Sequence, residues 1–306
     1  MKPIRFFFKR ALILLFPALW VLTGCEDVID LTVANAPKQL VVDGWITNQP
    51  GVQSIRLSWS APYFEYTHGA PILNATVTVT DDLGNVFEFT DANKDGRYEW
   101  GSDSVTLGHV GRSYTLSIQN GTDKFTAINE IKRVPTVDSL VYQKETLPFT
   151  PDNGPKEGYV AQFYARDFVG EGDTYWIKPV INGAVKTSDP TSISVAYDAA
   201  FGAGAPSDGM IFILPLRQSI TTDSLYLAGV KIGVELHSIT TEAYDFLSQV
   251  RDQTSNGGIF ATPMTNVLTN VVNSNPNGPK ALGYFGTSAV SRLETVIDPA
   301  KARPEK

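Results

Sequence analysis

Cys25 is the only cysteine among 306 residues, and it closes the run Leu22-Thr23-Gly24-Cys25. These four residues resemble a bacterial lipobox. In that motif the leader is cut between Gly24 and Cys25, and the new N-terminal cysteine carries lipid on its sulfur. Exported proteins usually pair their cysteines as disulfides, so a lone thiol would be odd unless acylation consumed it. The preceding residues fit a secretory leader. Lys2, Arg5, Lys9 and Arg10 form a basic start, and Ala11 to Leu22 form an apolar run interrupted by Pro17. Twelve apolar residues are too few for a membrane-crossing helix, which needs about 20. One acyl chain holds a protein only marginally, so diacylglycerol with a further N-acyl chain is the expected anchor.

The other residues able to do chemistry form few patterns. The three histidines, His68, His109 and His237, are far apart and belong to no His-Glu-x-x-His helix. There is no Gly-x-Ser-x-Gly elbow, no phosphate-binding Walker loop and no Gly-x-Gly-x-x-Gly. Carboxylates are plentiful, and a glycosidase needs only two at the right separation, which sequence alone does not locate. No cofactor is expected. Asp91-Ala92-Asn93-Lys94-Asp95-Gly96 matches the opening of a calcium-binding EF-hand loop. Position twelve, however, is Ser102 rather than Glu, and the flanks read as strands. A plain Asx turn is therefore preferred, with calcium ligation by Asp91, Asn93 and Asp95 as the alternative. Tyr63, Phe64 and Tyr66 cluster in a loop between two expected strands. They either stack on a ligand or partner, or fold over the end of the core. Trp45, Trp59, Trp100 and Trp176 sit in strand-like runs and are expected in the core.

The elements that must position these residues are mostly strands. Ala75 to Thr80 alternates strictly, with Val77 and Val79 on one face, and Asp81 to Asn85 turns into Val86 to Thr90. Tyr114 to Ile118 turns at Asn120-Gly121 into Lys124 to Ile128. Residues 38–134 are expected to form an immunoglobulin-like antiparallel β-sandwich, with Tyr114 placed for a tyrosine corner. Residues 25–37 read as an acylated tether after a 1–24 signal peptide. Residues 135–298 read as a second β-rich domain, and 299–306 as a polar tail. In that second domain, strands are expected at Tyr159 to Ala165, Thr174 to Ile181, Ile193 to Tyr197, Met210 to Leu216 and Leu225 to Leu236. A helix near 240–252 follows, capped by Thr240 or Thr241 with Glu242 in its first turn. Residues 259–281 read as loop and 283–297 as one final strand. The class is mainly β with one prominent helix.

The full chain carries 25 basic and 32 acidic residues. Loss of residues 1–24 removes four basic and no acidic side chains, leaving 21 against 32, or −11. Such a surface does not suit nucleic acid.

Several stretches in order resemble a Bacteroidota lipoprotein family known as domain of unknown function 4249. They are Cys25-Glu26-Asp27-Val28-Ile29-Asp30-Leu31, Leu40 to Thr47, Pro71 to Val79, Gly111 to Leu116, Tyr244 to Leu247 and Ala281-Leu282-Gly283-Tyr284-Phe285. The family has no established activity or catalytic residues to carry over. The resemblance implies an outer-membrane lipoprotein on the cell surface or the periplasmic face, beside a TonB-dependent transporter. Its small-molecule or glycan ligand is unspecified. Two alternatives remain at this stage: a lipid-anchored hydrolase of glycans or peptides, and a structural or adhesive envelope protein.

Overall fold

The computed structural model describes residues 37–62, 69–152, 154–187, 189–221, 224–256 and 267–305. The leader, the lipobox and most of the tether therefore lie outside the described residues. Residues 37–306 form one compact unit. It is mainly β, with sheets that are largely antiparallel.

Its first part comprises β1 (Leu40–Thr47), β2 (Gln53–Trp59), β3 (Thr76–Asp81), β4 (Val86–Phe89), β5 (Arg97–Trp100), β6 (Ser113–Asn120) and β7 (Asp123–Glu130). The second contributes β8 (Val137–Thr146), β9 (Glu157–Ala165), β10 (Thr174–Ile181), β11 (Ala184–Val185), β12 (Ser194–Tyr197), helix α1 (Leu214–Gln218), β13 (Lys231–Ile239), helix α2 (Thr241–Thr254), β14 (Val272–Asn273), β15 (Ala281–Ser288) and β16 (Val290–Val296).

Two sheets make the sandwich. One runs β15-β1-β2-β5, the other β14-β7-β6-β3-β4. Alternation drives them together: Leu40, Val42 and Ile46 of β1 point inward, as do Val77 and Val79 of β3 and Leu116 and Ile118 of β6. Tyr114 is fully buried, and its hydroxyl donates to the Leu107 carbonyl (3.2 Å) while accepting from the His109 amide (2.8 Å). This is the tyrosine corner that the sequence placed.

The second core lies on one face of the sheet β11-β10-β13-β16, under the β8–β9 hairpin and α1. Helix α2 starts where Thr240 accepts from the Ala243 amide (3.3 Å), and buries Ala243 and Leu247. It packs with Val195, Ile239 and Tyr284 in a third, smaller cluster.

Three expectations differ from the structure. Met210 to Leu216 is not a strand: only Ile211 makes an isolated bridge, and α1 begins at Leu214. Pro215 explains this, since it cannot donate to a ladder and suits a first helical turn. The expected Leu225 to Leu236 strand starts late, at Lys231, after a turn at Gly229. The expected final strand 283–297 is two strands joined through Ala289. The first of them, β15, adds in parallel to β1 of the sandwich, while β16 pairs with β13 of the second sheet. Chain from beyond residue 280 thus completes the N-terminal sandwich.

That docking requires two glycines. Gly283 has φ +82°, and a Cβ there would lie 2.0 Å from the Val42 carbonyl oxygen. A Cβ at Gly286 would lie 2.2 Å from the Trp45 ring. Gly283→Ala is expected to destabilise the protein by more than about 2 kcal/mol, because it adds steric conflict to a positive-φ strain. Urea unfolding of purified wild type and variant checks this; equal midpoints would contradict it.

Candidate functional site

Of the residues singled out by sequence, Gly24, Cys25, Tyr63, Phe64, Tyr66 and His68 lie outside the described residues. The aromatic loop has a defined base, with the Trp59 amide donating to the Ala70 carbonyl (2.9 Å) and Ser58 bridging Pro71. The Asp91 loop is built from within. Asp91 accepts from the amides of Asp95 (3.1 Å) and Gly96 (3.0 Å), one per carboxylate oxygen, and Asp95 accepts from the Arg97 amide (3.0 Å). Thr90 and Glu99 pair across its neck. The arrangement is an Asx-supported hairpin turn. Among the described residues no group of three His, Cys, Asp or Glu side chains is placed to hold a metal. The four tryptophans are half-buried: Trp59 and Trp100 pack on the sandwich core, Trp45 and Trp176 on the small third cluster. His109 sits at the tyrosine corner and His237 in the second sheet.

The densest chemistry is a ladder that sequence reading missed. Lys178, Glu235 and Arg292 stand directly opposite one another on β10, β13 and β16. Opposed residues share a face. Trp176 and His237 lie on the same face, two residues along, again opposite each other. The reverse face carries Ile177, Val234 and Leu236 into the second core. Arg292 donates to Glu235 Oε1 (2.7 Å), and His237 Nε2 contacts Glu235 Oε2 (3.0 Å). His237 Nδ1 meets the Ser288 hydroxyl of β15 at 2.8 Å. Nε2–H therefore donates to the Glu235 carboxylate, and Nδ1 accepts from the Ser288 hydroxyl.

Aromatic rings close the cluster. Lys178 Nζ lies 3.6 Å from the Trp176 ring centroid and 5.9 Å from that of Trp45. Trp45 packs on Trp176 at 5.0 Å and stacks on Tyr284 at 6.0 Å, and Tyr284 stacks on Phe246 of α2 at 4.7 Å. Lys178 is 9 % exposed and His237 3 %. Burial pushes the Lys178 ammonium down to about 8, against the pull of Glu235 and Asp43. Burial, helped by Lys178, pushes His237 down to about 4 despite Glu235. Burial raises Glu235, but His237, Arg292 and Lys178 outweigh it and hold the carboxyl below its ordinary value. Lys178 lies against the Trp176 and Trp45 rings, and Glu235 is bonded by Arg292 and His237. The ladder ties β13 to β16 through Glu235 and Arg292, with Lys178 and His237 buried and Arg292 at the exposed edge.

The domain of unknown function DUF4249 matches residues 26–294. The chain belongs to the DUF4249 family. No curated protein matches it. The DUF4249 match takes in the sandwich core, most of the second core, the ladder residues Lys178, Glu235 and Arg292, and β15 where it completes the sandwich. Residues 295–305 follow beyond the match and still pack on β8, where the Arg303 amide donates to the Tyr142 carbonyl (2.9 Å).

The ladder predicts two pH effects. An unfolded histidine titrates near 6.5 but His237 near 4, so the unfolded chain takes up the extra proton between those values and acid removes stability there. Lys178 titrates near 8 rather than 10.5, so stability rises as pH climbs through that window. Lys178→Met is expected to leave stability at pH 7 within about 1 kcal/mol or to raise it, as apolar replacement of a buried charge often does. It is also expected to flatten the rise between pH 8 and 10.5. Denaturant midpoints across pH check this, and an unaltered alkaline slope would refute the assignment.

Proposed function

We propose that this DUF4249 protein is a lipid-anchored binding or accessory protein of the outer membrane, of the Bacteroidota lipoprotein type. It sits on the cell surface or the periplasmic face and partners a TonB-dependent transporter in nutrient uptake. The observation that carries the reading is Cys25 at the end of a basic and apolar leader, close before a folded body that starts near Pro37. The stretch between them has about a dozen residues. Extended, it reaches roughly 40 Å. A body of net charge −11 is repelled by anionic lipid, so attachment has to come from the acyl chains.

The reading makes the protein a binder rather than a catalyst. In its densest ionisable cluster Glu235 is tied to Arg292 of β16 and His237 to Ser288 of β15, while Lys178 lies over the Trp176 ring of its own strand. The transporter partnership is supported by the family resemblance alone.

Cys25→Ser is expected to move the protein from the membrane to the soluble fraction of its native envelope, with the fold intact by circular dichroism. Retention in the membrane would refute the anchor. Affinity purification of the wild type from native outer membranes is expected to bring down a TonB-dependent transporter; recovery without one would refute the partnership.

A further inference from the structure

An open cleft of about 740 Å³ runs between the β8–β9 hairpin, α1 and the C-terminal segment. Alternation along β9 explains its lining. Ala161, Phe163 and Ala165 point into the second core, which leaves Gln162 and Tyr164 on the outer face. Helix α1 buries Leu216 and presents Arg217 and Gln218 to the cleft. The far wall is the chain end. Gln143 and Arg303 form a parallel bridge, with the Lys144 amide donating to the Arg303 carbonyl (3.2 Å) and the Arg303 amide to the Tyr142 carbonyl (2.9 Å). Arg303 is thereby held by backbone, although it lies beyond the family match and near the terminus.

Two guanidiniums flank one phenol. Arg217 Cζ lies 4.4 Å from the Tyr164 ring centroid and Arg303 Cζ 5.9 Å from it, and Arg303 Nη1 donates to the Tyr164 hydroxyl (3.4 Å). Neither arginine forms an ion pair among the described residues, and the same holds for Arg56, Arg97 and Arg166. Arg217 Nε is buried and has no hydrogen-bond partner. A buried guanidinium N–H without an acceptor costs free energy, and such orphans mark a missing water, ion or ligand. Burial raises the Tyr164 phenol, but Arg303 and Arg217 outweigh it and hold the group below its ordinary value. The two guanidiniums thus act together at the Tyr164 hydroxyl.

We propose that this cleft binds a sugar acid, with its single carboxylate held between Arg217 and Arg303. Guanidinium forks match carboxylate geometry and favour it over a point anion. Gln143, Gln162 and Gln218 supply carboxamide donors and acceptors suited to ring hydroxyls. Leu214, 45 % exposed, offers an apolar surface for a sugar face. Glu145 and Glu305 line the same cleft. Their charges oppose a polyanion and leave room for one carboxylate at the arginines. The inference stands on the cleft itself and does not depend on lipid anchoring at Cys25.

The test is isothermal titration of the full chain in detergent with D-glucuronate, D-glucose, acetate and sulfate. The expected result is binding of glucuronate at millimolar concentration or better, with glucose at least about tenfold weaker, the scale of one lost charged hydrogen bond, and acetate and sulfate likewise at least about tenfold weaker because they lack the ring hydroxyls that the glutamines would bind. Arg217→Lys keeps the charge but loses the fork, and Arg303→Gln alters an exposed side chain. Each is expected to weaken glucuronate binding about tenfold or more, with the unfolding midpoint unchanged. Arg56→Gln, in a different sheet, is expected to leave binding unchanged. Acetate or sulfate binding as tightly as glucuronate would reduce the site to a simple anion site and overturn the proposal. No glucuronate binding, or equal binding by glucose, would overturn it as well.

Discussion

The parallel pairing of Ala281–Ser288 with Leu40–Thr47 joins the last quarter of the chain to its first folded strand. Parallel neighbours cannot be linked by a tight turn, so the chain between them has to be a long crossover. Here that crossover contains nearly the whole protein. The entropy of closing so long a loop grows only with the logarithm of its length, so the length itself is affordable. What the pairing does need is close approach. Gly283 sits against the Val42 carbonyl and Gly286 against the Trp45 ring, where no other side chain fits. The far edge of β15 is also kept from seeking another strand. Asn270 hydrogen-bonds both the amide (3.0 Å) and the carbonyl (2.8 Å) of Phe285, and Asn129 adds a second donor to that carbonyl (3.1 Å).

Because β15 leads through Ala289 straight into β16, this pairing also determines how the two cores meet. Ser288, at the end of the sandwich strand, reaches His237 of the second sheet. The Lys178–Glu235–Arg292 ladder sits beneath the Trp45, Trp176 and Tyr284 rings at that junction. Burying Lys178 and most of Glu235 is costly, and the mutual attraction of the ladder does little more than offset it. A one-residue slip of β13 would turn Glu235 and His237 into the apolar core and bring Leu236 out among the charges. The ladder thus discriminates sharply between registers.

Much of the architecture was legible in local pattern. Val77 and Val79 showed the period of two, Tyr114 the corner, and Thr240 the helix start, because each depends on neighbours within a few residues. Met210 to Leu216 misled because its apolar residues outweighed Pro215, whose missing amide favours a first helical turn. The ladder left almost no trace. Lys178 within the apolar run Tyr175 to Ile181 was the one available signal, and its partners lie on strands far along the chain. The Arg217–Tyr164–Arg303 cleft was hidden for the same reason, since a strand, a short helix and the chain end each supply one of its three groups.

The sequence alone determined a mainly β class with one capped helix, the motif at Cys25 and the lack of familiar catalytic signatures. These depend on short-range periodicity, caps and contiguous residues. Tertiary structure alone decided that β15 completes the first sandwich, that Lys178, Glu235 and Arg292 face one another, and that two unpaired arginines share a cleft. Those outcomes depend on which distant backbones pair and in what register, and a strand's own alternation says which face is apolar without naming the strand it will lie beside.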